Sequence, residues 1–145
     1  MGVSEIVWPI LDEMMTKRRD GASLRLAVDG PTYESKRFGK TSYLDASAIL
    51  HSSAQMSAFI VNRSMDESMD VELHLAGAQV KRLANAEIVG GAGGGIDAQT
   101  SNTFEQPNRI VARPFSDVAM VGDNRATSLI KLPPLSMAGL TFELA

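Results

Sequence analysis

The stretch Ser57–Gly77, SAFIVNRSMDESMDVELHLAG, constrains the fold of this chain more than any other. Phe59, Val61 and their neighbours form a continuous apolar run. Asn62–Ser68 is polar and turn-prone. Met69, Val71, Leu73 and Leu75 then alternate with Asp70, Glu72 and His74. A period of two puts the apolar set on one face of a strand and the charged set on the other. Two such runs with a short polar link predict a β-hairpin with one buried face and one wet face. A lone hairpin is marginal in water, so the rest of the chain must supply more strands.

Most of the remaining pattern is strand-like. Leu24, Leu26 and Val28 alternate with Arg25 and Ala27, and Tyr43–Leu50 alternates throughout. Gln55–Asn62, Arg109–Phe115, Ser128–Leu132 and Leu135–Leu144 join them, and Gln79–Val89, whose spacing fits strand or helix, is read as strand because strands flank it. Thr32–Ser42, Ile96–Asn108 and Asp117–Thr127 show no period and read as irregular connections. Pro133-Pro134 marks an edge or a bend. Pro9–Asp20 alone reads as helix, with proline in the first turn, acids early, Lys17–Arg19 late and Gly21 as the stop. Its stripe of Ile10, Leu11, Met14 and Met15 is expected to lie on a core. The sum is an all-β chain: a two-sheet antiparallel β-sandwich, jelly-roll-like, with one N-terminal helix.

A chain of 145 residues can bury a proper core in one domain. Its net charge of −3 argues against nucleic acid or an anionic membrane as the main partner, since both need a basic face. Lys17–Arg19 is the one basic run, and it reads as a helix C-terminus or solvated face. The absence of cysteine excludes disulfides and thiolate metal sites. No apolar stretch reaches the roughly 18 residues of a membrane helix. The N-terminus lacks the layout of a signal peptide, so a cytoplasmic protein is expected.

The motifs that carry chemistry are incomplete. In the run Gly90–Gly95, Ile96 and Asp97 stand where a phosphate loop needs Lys and Ser or Thr, and Ile96 also replaces the third glycine of a dinucleotide loop. A surface loop is the expectation there, with no bound cofactor. His51 and His74 lie far apart with no metal-ligand spacing around them. No strained serine turn supports a Ser-His-Asp arrangement. Asp66, Glu67, Asp70 and Glu72 cluster on a turn and an outward strand face, where they read as solvated charge rather than a glycosidase pair in a cleft. Glu105 is the more interesting acid, sitting in a loop beside Phe104, but it has no visible partner. Aromatic residues are 6% of the chain, so few rings remain for a sugar-stacking platform once Phe59 and Phe142 enter the core.

Five stretches, in order, resemble the C-terminal portion of glycoside hydrolase family 51 α-L-arabinofuranosidases. They are VDGPTY at Val28–Tyr33, YLDASA at Tyr43–Ala48, FIVNRSMDESMDVELHL at Phe59–Leu75, NTFEQPNRI at Asn102–Ile110 and LPPLSM at Leu132–Met137. Trp8-Pro9-Ile10-Leu11 is similar to the start of the family's last barrel helix. The glycine run, and Met137 where the family often has Trp, depart from the pattern. The resemblance implies that residues 1–21 are the remnant of that barrel helix and 22–145 the C-terminal β-sandwich. In the family, a (β/α)8 barrel carries the catalytic glutamates, and such a barrel needs about 250 residues. No catalytic, cofactor or metal residue therefore carries over to this chain, and it is expected to be inactive alone.

The implied role is to support the barrel and oligomer assembly in an enzyme that hydrolyses terminal arabinofuranosyl residues of plant oligosaccharides. A carbohydrate-binding module is the alternative, and a small enzyme using Glu105 is a further rival. The family sandwich is completed by a strand from the start of the full enzyme. Without it, a sheet edge and the helix stripe are expected to drive self-association into a homo-oligomer.

Overall fold

The computed structural model describes residues 14–91 and 102–145. The strands are β1 (Ala22–Leu24), β2 (Thr32–Ser35), β3 (Gly39–Ser42), β4 (Leu44–His51), β5 (Gln55–Asn62), β6 (Met69–His74), β7 (Val80–Gly90), β8 (Arg113–Pro114), β9 (Val118–Val121), β10 (Thr127–Leu132) and β11 (Ser136–Leu144). A helical turn at residues 14–16 precedes them. The large sheet runs β1-β4-β5-β11-β7-β8 and the small one β6-β10-β9, with β2 and β3 forming a separate hairpin. Every pairing is antiparallel.

Alternation places the core between the two main sheets. Leu44 and Ala48 of β4, Met56, Ala58 and Ile60 of β5, Ile88 of β7 and Ala138, Leu140 and Phe142 of β11 come from the large sheet. They cluster with Met69 and Leu73 of β6 and Ile130 and Leu132 of β10. This is the expected sandwich. Strands β5 and β11 sit at its centre and are buried on both faces along most of their length.

The expected hairpin across Ser57–Gly77 does not form. β5 pairs with β4 and β11, whereas β6 pairs with β10 in the other sheet. The polar link at residues 63–68 is a crossing between layers. A second crossing, at residues 133–135, takes β10 to β11 beside it, so Pro133-Pro134 is a bend. Asn62 joins the two. Its buried Nδ2 donates to the carbonyls of Glu67 at 2.9 Å, Leu132 at 3.2 Å and Pro133 at 3.1 Å. Its Oδ1 accepts from the Ser64 amide at 2.9 Å, and the Ser64 carbonyl accepts from the Leu135 amide at 2.9 Å. Both crossings thus satisfy several of their backbone groups on one side chain and its neighbour.

Other expectations change in detail. Thr32–Ser42 is not irregular: Thr32 pairs with Ser42 and Ser35 with Gly39 in the β2–β3 hairpin. The Ser35 hydroxyl accepts from the Phe38 amide at 3.3 Å in its turn. Residues 118–121 are strand rather than loop, with Val118 opposite Ile130. That strand reads VAMV, wholly apolar, and so carries no period of two. Pairing in the Leu24–Val28 run stops at Leu24, and in Arg109–Phe115 only Arg113 and Pro114 pair. Residues 9–13 of the expected helix and 92–95 of the glycine run lie outside the described residues.

Gly90 marks the tightest backbone approach beside the second crossing. Its φ is +79°, and a Cβ there would stand 2.2 Å from the Leu135 carbonyl oxygen. Left-handed strain and a backbone clash add. Gly90→Ala is expected to lower stability by about 3 kcal/mol in urea denaturation. Gly139→Ala is expected to cost less, because its Cβ would meet the flexible end of Met14, at 2.6 Å.

Candidate docking face on the large sheet

The face of the large sheet turned away from the core is not a wet surface. Phe59 of β5 and Val89 of β7 point outward by register, opposite Gly139 and Met137 of β11, and both are buried. Met14 and Arg18 lie over this face, 1% and 3% exposed. Gly139 explains the close fit: any side chain there would fill the space taken by Met14.

Arg18 is the centre of the face. Its Nη1 donates to the Met14 carbonyl at 2.9 Å and its Nε to Thr141 Oγ1 at 2.9 Å. Nη2 donates to Asn85 Oδ1 and also stands 3.0 Å from Glu87 Oε2. No hydrogen bond is aligned with Glu87 Oε2, so Nη2 holds Glu87 through charge. Lys17 Nζ reaches the other oxygen of Glu87 at 3.5 Å. The guanidinium fork suits this role, because a buried cation must be both paired and fully hydrogen-bonded. The expected basic run therefore splits. Lys17 and Arg19 are exposed, whereas Arg18 is buried and not part of a solvated face.

His51 closes the same face from the β4 side. Its Nδ1 lies against the Asp20 main-chain carbonyl, and its Nε2 is 2.8 Å from Ser57 Oγ. Ser57 Oγ is in turn 3.0 Å from Thr141 Oγ1. A shallow depression of about 270 Å³ opens there, lined by Lys17, Asp20, His51, Gln55, Ser57 and Thr141. Serine and histidine are in contact, yet Ser57 is 0% exposed, so no carbonyl substrate can reach its oxygen. The third group is a main-chain carbonyl, not a carboxylate. The arrangement can bind two elements together, and it offers no nucleophile.

The other sequence candidates do not converge on it. His74 sits in the small sheet, exposed, 2.9 Å from Thr127 Oγ1. Asp66, Glu67, Asp70 and Glu72 are all exposed, and no three His, Asp or Glu among the described residues could hold a metal ion. Glu105 is exposed in a self-closed loop. Asn102 closes it at both ends, donating to the Ile110 carbonyl at 2.8 Å and accepting from the Ile110 amide at 2.6 Å. Phe104 stands at its tip, 94% exposed. Phe142 is core as expected, while Phe59 is buried on the outer face instead. On β11, Glu143 accepts from Lys81 at 3.0 Å and Arg82 at 2.7 Å. The hydrogen bond from Lys81 and the charge of Arg82 hold its carboxyl below the usual carboxylate range.

One edge of the sandwich is open. A cleft of about 290 Å³ lies between β4 and β6, lined by Leu26, Leu44, Ala46, Ile60, Val71 and Leu73, among others. Among the described strands, β6 pairs on one side only, with β10.

Sequence reasoning missed Asn85, Glu87 and Thr141 as the set linked by Arg18, and missed Asn62 as the tie between the two crossings. Thr141 and Glu143 break an otherwise apolar C-terminal strand on one face, which is the one signal that marked that face as polar.

Comparison with known proteins places these features. The model of the α-L-arabinofuranosidase C-terminal domain matches residues 10–136. A Streptomyces lividans protein, the intracellular exo-α-(1→5)-L-arabinofuranosidase, is 29% identical over 116 residues, covering 80% of this chain and 16% of its own length. The exo-α-(1→6)-L-arabinofuranosidase of Bifidobacterium longum is 26% identical over 118 residues, covering 81% of this chain and 22% of its own. Among solved structures, a family 51 α-L-arabinofuranosidase from Bifidobacterium longum shares the fold with a TM-score of 0.70 at 22% identity, over 83% of this chain and 22% of that one. The family 51 arabinofuranosidase of Xanthomonas axonopodis pv. citri gives 0.64 at 20% identity, over 77% and 21%. The chain thus spans about a fifth of the length of these relatives.

Proposed function

We propose that this chain, which belongs to the α-L-arabinofuranosidase C-terminal domain family, serves as the non-catalytic C-terminal β-sandwich of an arabinofuranosidase. Residues 1–21 are then the end of the catalytic (β/α)8 barrel, and residues 22–145 the sandwich that supports it. The parent enzyme hydrolyses terminal arabinofuranosyl residues of plant arabinose-containing oligosaccharides and works in the cytoplasm. The name of the Streptomyces relative, an intracellular enzyme, supports that location.

The observation that carries this reading is the buried Arg18. A segment entering the sandwich is locked to the sheet's outer face by Thr141, Asn85 and Glu87. Such a lock transmits the position of whatever precedes it, which is what a supporting domain must do. Among the described strands the β6 edge and its apolar cleft are open, which supports a place there for a strand from the rest of the enzyme. Light scattering of the chain at high concentration tests this: self-association is expected, and a monomer throughout would count against it.

The alternative, a carbohydrate-binding module, is favoured by one feature, the nearly free ring of Phe104 beside Glu105 and Gln106 on a closed loop. Calorimetric titration with arabino-oligosaccharides separates the two. A support domain gives no saturable heat. Saturable binding lost in Phe104→Ala would move the assignment to the module.

A further inference from the structure

The contacts beneath the helical turn form a single circuit with only one consistent direction. The Asp20 carbonyl can only accept, so His51 Nδ1 must carry the hydrogen it offers. In the neutral ring Nε2 is then an acceptor, and the Ser57 hydroxyl donates to it. Ser57 Oγ is left to accept from the Thr141 hydroxyl, and Thr141 Oγ1 accepts from Arg18 Nε. The circuit starts at Arg18 and returns to Asp20, crossing β11, β5 and β4 between them. Both ends therefore lie on the segment that enters the sandwich.

We infer that His51 is a proton-operated latch holding this segment on the large sheet. Adding a proton at Nε2 turns that atom from acceptor to donor. The Ser57 hydrogen must then turn towards Thr141, where Arg18 already donates, and the Thr141 hydrogen loses the acceptor it had. A cation also forms in a depression that Lys17 lines and Arg18 reaches through Thr141. The other charged groups around it are Asp20 on the same segment, Glu87 on β7 paired with Lys17 and Arg18, and Glu143 on β11 paired with Lys81 and Arg82. Glu87 and Glu143 are already engaged, so among the described residues Asp20 is the one anion lining the depression. The latch is closed with a neutral ring. It loosens once Nε2 takes up a proton, and Met14 then lifts from Gly139.

Two readings on the whole 145-residue chain test this. Nitrogen-15 spectra should show the neutral His51 ring as the Nδ1–H tautomer, and in an acid titration the Met14 methyl signal should shift as that ring takes up its proton. His74 is an internal control, because its titration should leave Met14 unmoved. In His51→Gln the Met14 shift should vanish, and in His74→Gln it should persist. An Nε2–H tautomer, or a Met14 signal that stays still while His51 titrates, would overturn the inference. Both of those readings come from the unmodified chain, whatever the folding of the variants.

Discussion

Arg18→Met should lower the stability of the domain by about 3 kcal/mol, read as a shift of the urea midpoint. The side chain of Arg18 is 4% exposed and that of its partner Glu87 19%, so removing the cation leaves a largely enclosed carboxylate with Lys17 as its remaining ion-pair partner among the described residues. Arg18→Lys should recover little. An ammonium cannot reach Met14, Thr141, Asn85 and Glu87 from one position, as the planar fork does. The paired variant Arg18→Met with Glu87→Gln should recover part of the loss, because the orphaned charge goes with its partner. A loss under about 1 kcal/mol for Arg18→Met would mean that the pair is solvated in practice, as most surface pairs are.

The second large effect is expected at Asn62. Asn62→Ala removes the donors to three carbonyls and the acceptor for the Ser64 amide, at the point where both crossings between sheets meet. Several buried backbone groups lose partners together, for a loss of about 3 kcal/mol. Asn62→Asp is the sharper variant. It keeps an acceptor for Ser64 but turns a negative oxygen towards the carbonyls of Glu67, Leu132 and Pro133. It should therefore cost at least as much as alanine despite its matching size. If aspartate proved milder than alanine, the side chain would be filling space rather than tying the crossings.

These two positions show where the sequence was legible. The patterns of Tyr43–Leu50, Met69–Leu75 and Leu135–Leu144 announced strands, observed at Leu44–His51, Met69–His74 and Ser136–Leu144, and the resemblance to the C-terminal portion of the arabinofuranosidases is the family that was found. Pairing was not legible. A short polar link after Val61 can be a hairpin turn or a crossing between layers, and the choice is made by Asn62 with carbonyls about 70 positions away. The same holds for Arg18. A lysine–arginine run reads as solvated, because its partners Asn85 and Thr141 lie 67 and 123 positions along the chain. The apolar strand at Val118–Val121 was hidden for a simpler reason, having no polar residue to reveal its faces. The acids, by contrast, were read correctly as exposed, and Ser57 with His51 could not be foreseen as neighbours or as inaccessible to substrate.

We propose that this chain holds and positions, and runs no reaction of its own. The direct measurement is turnover of a chromogenic arabinofuranoside by the purified 145-residue chain. The account predicts none above the uncatalysed rate. Turnover by this chain that disappears in Glu105→Gln would contradict it.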